Sequence, residues 1–345
     1  MKTNKLLIYG ANGYTGRLIC EEAARKGLKP ILAGRSKEAI VPLAEKYGWE
    51  CRIFSLENIN EIGSHLSGID LVLHCAGPFR FTAKLMLESC LKSGIHYLDI
   101  TGEIEVFALA QSLHQQALDK NIMLLPGTGF DVVPTDCLAL RLKEKMLDAT
   151  SLELAFVTLG GQISHGTASS MIAKLGEGGA SRINGRLRKE PVGKNAKTLH
   201  LDGKQFLVMS IPWGDVFTAF YSTGIENIRA YTGISPLVFK FLKLQSLFNP
   251  ILRTRWFRRW MQQKVDARPA GPTDEKRSIA KSYIWGEVTN PAGNKISDWY
   301  TCPEGYTLTA TASVAIAIKV MNGYWKPGYQ TPAGCYGSGL IDELC

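Results

Sequence analysis

The sequence predicts an α/β protein, with an N-terminal Rossmann-type doubly wound parallel sheet followed by an α+β domain built on a mostly antiparallel sheet. Three observations predict it. An apolar strand runs straight into spaced glycines at Lys5 to Arg17, strands and helices alternate in short units as far as residue 130, and strands then follow one another with few crossover helices.

In the opening stretch K-L-L-I-Y-G-A-N-G-Y-T-G-R, Leu6 to Tyr9 read as a buried strand and Gly10, Gly13 and Gly16 as a tight turn. The helix that follows, Tyr14 to Lys26, aims its free N–H groups at an anion, and a dinucleotide pyrophosphate is the anion this arrangement suits. Gly10, Asn12, Gly13, Tyr14, Thr15 and Gly16 are therefore cofactor candidates. The next strand, Pro30 to Ala33, ends in Gly34-Arg35-Ser36-Lys37, where a cofactor with a free ribose 2'-hydroxyl usually meets an acid. An arginine beside a serine and a lysine suits a 2'-phosphate instead, so Gly34, Arg35 and Ser36 favour NADP(H) over NAD. Ser36 also suits the N-cap of the next helix.

The alternation continues through helix Lys37 to Tyr47, strand Cys51 to Phe54, a short helix near Asn58 to Leu66 and strand Asp70 to His74. Small residues follow at Cys75-Ala76-Gly77-Pro78-Phe79, where a dinucleotide can lie against the backbone. Strand His96 to Ile100 leads into Thr101 and Gly102, which join the cofactor candidates, then Glu103 and a helix over Ile104 to Lys120. After strand Ile122 to Leu125, the glycine- and proline-rich run Pro126 to Asp136 reads as a hinge.

These segments, taken in order, resemble the saccharopine dehydrogenase-like oxidoreductases, including their trans-acting enoyl reductase branch. The likeness rests on Gly10 to Arg17, Ala33-Gly34-Arg35, Ala76 to Phe79, Tyr97 to Glu103 and Gly129 to Asp136, and continues more thinly at Ile211 to Asp215, Ser222 to Ile225 and Thr331 to Ala333. It implies an NADP-binding Rossmann domain over 1–130, a substrate and interface domain over 131–322, and a segment over 323–345 that returns to the first domain. Trp213 stands where many relatives have arginine, and Val132-Val133 replaces a serine-containing pair. Both departures lie toward the substrate.

In the second part, strands are expected at Ser151 to Leu159, Thr198 to Leu201, Gln205 to Met209, Val216 to Tyr221, Asn227 to Tyr231, Ser278 to Val288 and Lys295 to Thr301. Helices are expected at Gly166 to Leu175 and Tyr306 to Met321, and Asp202-Gly203 is a hairpin turn. A basic amphipathic helical insertion occupies 236–263. Leu237, Phe241, Leu244 and Phe248 share one face, Asn249-Pro250 restarts the helix, and Leu252, Trp256 and Trp260 lie opposite Arg253, Arg255, Arg258 and Arg259. Such a face can rest on a membrane surface, meet an acidic partner, or pack on its own domain or a second copy as a homodimer.

Composition sets outer limits. The chain has 345 residues, 45% of them hydrophobic, and a formal charge of +9. That charge is local: Arg182 to Lys197 and Arg253 to Arg268 each carry six basic residues and one acid, or +5 apiece, leaving about −1 elsewhere, so nucleic acid is not expected as a partner. The eight cysteines are scattered singly, without metal-ligand spacing or a disulfide framework. No signal-peptide core and no membrane-length apolar run are seen, and a cytoplasmic protein is expected.

Hydride chemistry needs a proton donor or electrophilic contact for the acceptor. None of the twelve tyrosines has lysine four residues later, which argues against the short-chain dehydrogenase arrangement. The candidate catalytic groups are Asp131 in the hinge, His74 at the end of the fourth strand and His165, with Thr167 and Ser169, at a helix entry. Asp99 and Glu103 flank the fifth strand's end and are placed to position cofactor or substrate. The expected function is an NADPH-dependent oxidoreductase passing hydride to a C=C or C=N acceptor between the domains, the acceptor hydrophobic or carrier-borne. The alternatives are a saccharopine-type amino-acid imine reductase and a non-catalytic NADP-binding protein at a membrane or partner.

Overall fold

The computed structural model describes residues 5–243 and 245–345. Met1 to Asn4, read above as the lead into the first strand, and Leu244, read as part of an apolar helix face together with the Phe241 side chain, lie outside what is described.

The first domain runs β1 (Leu6–Tyr9), α1 (Tyr14–Arg25), β2 (Ile31–Gly34), α2 (Lys37–Tyr47), β3 (Cys51–Ile53), α3 (Ile59–His65), β4 (Leu71–His74), α4 (Phe79–Ser93), β5 (His96–Asp99), α5 (Ile104–Ser112), α6 (His114–Asp119) and β6 (Met123–Leu125). The chain crosses to the second domain on α7 (Val133–Lys145) and continues through β7 (Ser151–Leu159), α8 (His165–Ala173), β8 (Gly179–Ile183), β9 (Arg186–Glu190), β10 (Ala196–Leu201), β11 (Lys204–Ile211), α9 (Asp215–Thr223) and β12 (Asn227–Gly233). The helices α10 (Pro236–Lys243), α11 (Gln245–Leu252), α12 (Arg255–Asp266) and α13 (Asp274–Ile279) precede β13 (Lys281–Thr289) and β14 (Lys295–Pro303). Last come α14 (Gly305–Met321), β15 (Gly328–Tyr329), α15 (Pro332–Tyr336) and a 3-10 turn over Ser338–Glu343.

The first sheet has seven parallel strands in the order β15-β6-β5-β4-β1-β2-β3. The order reverses beside β1, and the crevice at that switch point is where open α/β sheets receive ligands. Its strands read as continuous apolar runs because both faces are covered. Leu7, Val72, Tyr97 and Leu124 face Met86, Phe107 and Ala117 on α4 to α6. Ile8, Leu73, Leu98 and Leu125 face Ile19 on α1 and Leu308, Ala312 and Ile316 on α14. That second core passes without a break through Leu138 and Leu142 of α7 into Leu152, Leu154, Ile284 and Val288 of the second sheet.

The second sheet has the order β10-β11-β12-β7-β13-β14, with β8 beside β12 and β9 beside β8. All its pairs are antiparallel except β12 with β7. The β10–β11 hairpin turns on Asp202 and Gly203, both at positive φ, and curls back over the sheet so that Tyr283 Oη donates to Asp202 Oδ2 at 2.9 Å.

Several elements differ from expectation. Val216 to Tyr221, expected as a strand for its aromatic and β-branched residues, is helical: Gly224 at φ +71° closes α9, and Val216 and Ala219 are buried in the core shared with α7. Burial on a neighbouring helix overrides strand propensity there. The basic run from Arg182, for which no element is expected, forms a hairpin, β8–β9, turning on Asn184 and Gly185 at positive φ. The helix over 104–120 breaks at Leu113, and the insertion restarts at Arg253-Thr254, where Thr254 caps α12, with Pro250 inside α11. Although it lies within the expected second domain, α14 packs on α1, β4 and β5 of the first. The chain end returns with it: β15 extends the first sheet beside β6, and buried Asp136 accepts from Ser222 Oγ at 2.5 Å and from the Ala333 N–H at 2.8 Å, tying α7, α9 and α15 together.

Candidate active site

The site lies along the C-terminal edge of the first sheet, beginning at the turn between β1 and α1. Gly10 has φ +82°, and a Cβ there would sit 2.8 Å from the Ala76 nitrogen after β4. A Cβ on Gly16 would lie 2.3 Å from the Gly10 carbonyl oxygen. The turn thus closes only with glycine at both positions, and it brings the backbone after β4 directly beneath it. Gly13 is the N-cap of α1 and supplies no side-chain hydrogen bond, and the first helical turn carries no acid. Free amides at an uncapped helix start, above a cradle that a Cβ would fill, fit a dinucleotide pyrophosphate.

The other predicted cofactor residues gather along the same edge. A Cβ on Gly34 would meet the Asn12 side chain at 3.2 Å, so the ends of β1 and β2 are in contact. Arg35 is exposed beyond β2 and takes no hydrogen bond or ion pair among the described residues, while Ser36 caps α2 by accepting from the Ala39 N–H. Cys75 donates its N–H to Tyr9 O at 2.8 Å, and Pro78 follows a cis peptide bond with Gly77. The N–H groups of Phe79 and Arg80, at the start of α4, donate to the Glu103 carboxylate at 3.0 and 3.1 Å. Thr101 Oγ1 accepts from the Glu103 N–H at 3.0 Å, and Gly102 leaves room for Asp131, whose Oδ2 would be 2.6 Å from a Cβ at that position.

Asp131 therefore sits where the ends of β5 and β6 meet the second domain. Its backbone oxygen accepts from Trp213 Nε1 at 3.0 Å, and Trp213, Phe156 and Phe130 form a run of aromatic contacts with centroids 4.9 and 5.7 Å apart. The residue keeps some surface open, but its carboxyl is enclosed. Desolvation first, and Glu103 second, push its pKa up to about 7, against a smaller opposing pull from Lys174. Glu103 is raised for the same leading reason, loss of water, with Lys174 and its two amide donors opposing.

The other candidates have different surroundings. His74 is fully buried among Tyr9, Phe79 and Tyr97, with Nε2 paired to Thr82 Oγ1 at 3.0 Å, and burial lowers its pKa to about 3, so it stays neutral inside the core. His165 is a half-exposed surface group paired with Asp266 of α12 at 2.8 Å. Ser169 accepts from Gln262 of α12, and Ser164 rather than Thr167 caps α8. Asp99 is buried and accepts from Tyr97 Oη and the N–H groups of Thr101 and Gly127, bracketing β5 to the loop after β6; burial raises it to about 7.

Arg277, Tyr306, Arg80 and Lys174, not singled out in the sequence, join Tyr14, Thr167 and Glu103 in closing the cleft from both sides. Tyr14 Oη donates to Pro272 O at 2.6 Å and accepts from Arg277, and its ring meets Tyr306 edge-on at 5.1 Å. Tyr306 Oη in turn accepts from the Ser164 N–H at 2.6 Å and shares a hydrogen bond with Thr167. Across the cleft, Arg80 donates to Ala173 O and Glu177, and Lys174 pairs with Glu105 at 3.1 Å and Glu103 at 3.9 Å. These partners lie roughly 70 to 290 residues apart, so no local spacing marks them. Among the described residues no cluster of His, Cys, Asp and Glu is arranged to hold a metal ion.

Residues 6–125 match the family model described as the saccharopine dehydrogenase NADP binding domain. The N-terminal domain is similar to that family along this stretch. This NADP-binding domain is also the part most densely covered by the motifs quoted above. Over 200 residues the chain is 28% identical to the human saccharopine dehydrogenase-like oxidoreductase, covering 50% of this chain and 46% of that protein. It is 27% identical over 157 residues to the trans-acting enoyl reductase of Mycobacterium bovis (strain BCG / Pasteur 1173P2), covering 43% and 38%. The chain thus spans about half the length of the curated relatives it matches. Among solved structures, the apo saccharopine dehydrogenase (L-Glu forming) of Saccharomyces cerevisiae aligns with a TM-score of 0.65 at 13% identity, covering 99% of this chain and 96% of that one. The homospermidine synthase of Legionella pneumophila, in complex with NAD, aligns with a TM-score of 0.64 at 10% identity, covering 99% and 89%. At such identities these two alignments establish a shared fold.

Proposed function

We propose that the chain is an NADPH-dependent oxidoreductase that reduces an apolar C=C or C=N acceptor held between its two domains, with Asp131 as the proton donor. The observation that carries this reading is the position of Asp131: an enclosed carboxyl with a pKa of about 7, where the β5 and β6 ends of a dinucleotide edge meet an aromatic wall. Bound NADPH supplies the hydride. The uncapped start of α1 holds the pyrophosphate, and Arg35 meets the 2'-phosphate. Asp131 keeps its proton near neutral pH and gives it to the acceptor atom that gains negative charge as reduction proceeds. Trp213, Phe156 and Phe130 exclude water and favour an apolar or carrier-borne acyl group.

The test is loss of NADPH absorbance with an α,β-unsaturated acyl thioester, compared with an amino-acid imine formed in place. Faster turnover of the thioester is expected; no turnover of either class would remove the proposal. An imine joining two amino acids needs cations for their carboxylates, and two cations of the basic run are already engaged. Arg182 is buried, donating to Val216 O and Gly185 O against the Phe220 ring, and Lys197 pairs with Glu153 over the Trp285 ring.

Arg35→Ala is expected to weaken NADPH binding by roughly tenfold or more while leaving NADH affinity within about twofold, because only the 2'-phosphate loses a charge-assisted partner. Titration of both cofactors by fluorescence measures the ratio. An equal loss for NADPH and NADH would remove Arg35 from this role.

A further inference from the structure

The helices α10 to α12 leave large apolar side chains on their outer surface. In α12 the inward stripe is Arg258, Met261, Gln262 and Val265, an i, i+3, i+4, i+7 set that packs on α8. Arg258 Nη2 donates to Leu175 O and Arg253 Nε to Gly176 O, both at 2.8 Å, so these two cations serve as anchors to the end of α8. Trp256 and Trp260 fall off that stripe and remain 72% and 44% exposed. Leu237, Val238, Phe248 and Ile251 on α10 and α11 are 48–66% exposed. Arg255, Arg259 and Lys240 are also exposed, and take no ion pair among the described residues.

We infer that the outer surface of α10 to α12 docks on an anionic lipid bilayer. Indole rings interleaved with cations suit the two depths of such an interface: rings at the hydrocarbon boundary, guanidinium and ammonium groups at the phosphates. The segment from Pro236 to Arg268 carries eight basic residues and one acid, a net +7. A second copy meeting this face by two-fold symmetry would set Arg255 and Arg259 against their own kind, an arrangement like charges oppose. An acidic protein would satisfy the cations, but the exposed Leu237, Val238, Phe248, Ile251, Trp256 and Trp260 set among them match the layering of hydrocarbon under phosphates at a bilayer surface. Among the described residues no helix is long and apolar enough to cross a membrane, so the attachment is peripheral.

The experiment is co-sedimentation of the full chain with phosphatidylcholine vesicles, with and without about 30% phosphatidylserine, at about 0.15 M salt. Binding to the anionic vesicles with a blue shift of tryptophan emission is expected, with little binding to phosphatidylcholine alone. Both the pair Trp256→Ala with Trp260→Ala and the pair Arg255→Glu with Arg259→Glu are expected to weaken partition by roughly tenfold or more, each charge counting for about a factor of five. These side chains stand outside the nucleotide edge, so unchanged NADPH affinity shows that the variants are folded. Absence of wild-type partition, or partition indifferent to both pairs, would overturn the proposal. Binding lost on charge reversal with tryptophan emission unmoved would overturn it in favour of surface attraction without seating. A doubled mass in lipid-free solution that the tryptophan pair abolishes would assign the face to a second copy.

Discussion

Gly16→Ala is expected to eliminate NADPH binding. The new methyl group would lie 2.3 Å from the Gly10 carbonyl oxygen and 3.0 Å from the Ala11 backbone, atoms that cannot swing aside as a side chain tip can. Either α1 moves off the strand end or the turn opens, and both displace the amides that face the pyrophosphate. The expected loss is at least ~100-fold in Kd, about 2.7 kcal/mol, with roughly 1–3 kcal/mol of stability lost through overpacking. Gly13→Ala is the control, because its nearest neighbour, the same carbonyl, stands at 3.3 Å. A modest loss of roughly threefold to tenfold in Kd is expected there. Calorimetric titration beside urea unfolding separates the two effects. Full NADPH affinity in a folded Gly16→Ala protein would contradict the placement of the cofactor at this turn.

Asp131→Asn is expected to lower turnover by roughly a hundredfold to ten-thousandfold while leaving NADPH affinity within about twofold. Asparagine keeps the backbone oxygen that receives Trp213 Nε1 and has nearly the same volume, so the loss reports the proton. The wild-type pH profile has a defined sign. The donor must be protonated, so kcat/KM is expected to be flat below about 7 and to fall tenfold per unit above it, and the variant is expected to lack that limb. Stability follows a linked course. The folded pKa of about 7 exceeds the unfolded value of about 3.9, so between these values the folded state holds a proton that the unfolded chain releases. Stability from this group is therefore full below about 4 and is lost as pH rises through about 7. Urea midpoints across that window should fall less in Asp131→Asn than in the wild type. An unchanged pH–rate limb in the variant would assign the proton to another group.

The nucleotide half was legible because each of its signals is local. A strand, three spaced glycines and the start of a helix lie within thirteen residues, and the Arg35 end of β2 follows at an expected distance. Asp131 was legible as a candidate because glycines and prolines crowd the same loop. His74 shows the limit of that approach: a strand-end position is compatible with the cleft or the core, and only the packing of Tyr9, Phe79 and Tyr97 decides between them. The partners that close the cleft, Tyr306, Arg277 and Lys174, carry no motif because their meaning comes from tertiary contact. One turn went unread and one stretch was misread, though both had available signals. Asn184-Gly185 is a strong hairpin turn hidden within a count of basic residues, and Gly214 and Gly224 bracket a stretch whose residues favour strands but whose burial makes it a helix. Around α12, hydrophobic periodicity set Trp256 and Trp260 opposite four arginines, but only Arg253 and Arg258 bond inward, to carbonyls that a sequence does not locate, while Arg255 and Arg259 stay outside with the tryptophans.

The strand β15 has a consequence for how the molecule is made. It enters the first sheet beside β6, yet about 200 residues separate the two in the chain, and α14, which covers the sheet face over α1, is translated almost as late. At a synthesis rate of about 5–20 residues per second, β1 to β6 emerge from the ribosome roughly 10 to 40 s before the pieces that complete them. During that interval the nascent nucleotide domain has an open sheet edge beyond β6 and an apolar face awaiting Leu308, Ala312 and Ile316. Completion of the cofactor domain is thereby deferred until α14 and β15 have been made, and until then that apolar face and open edge stay exposed to aggregation.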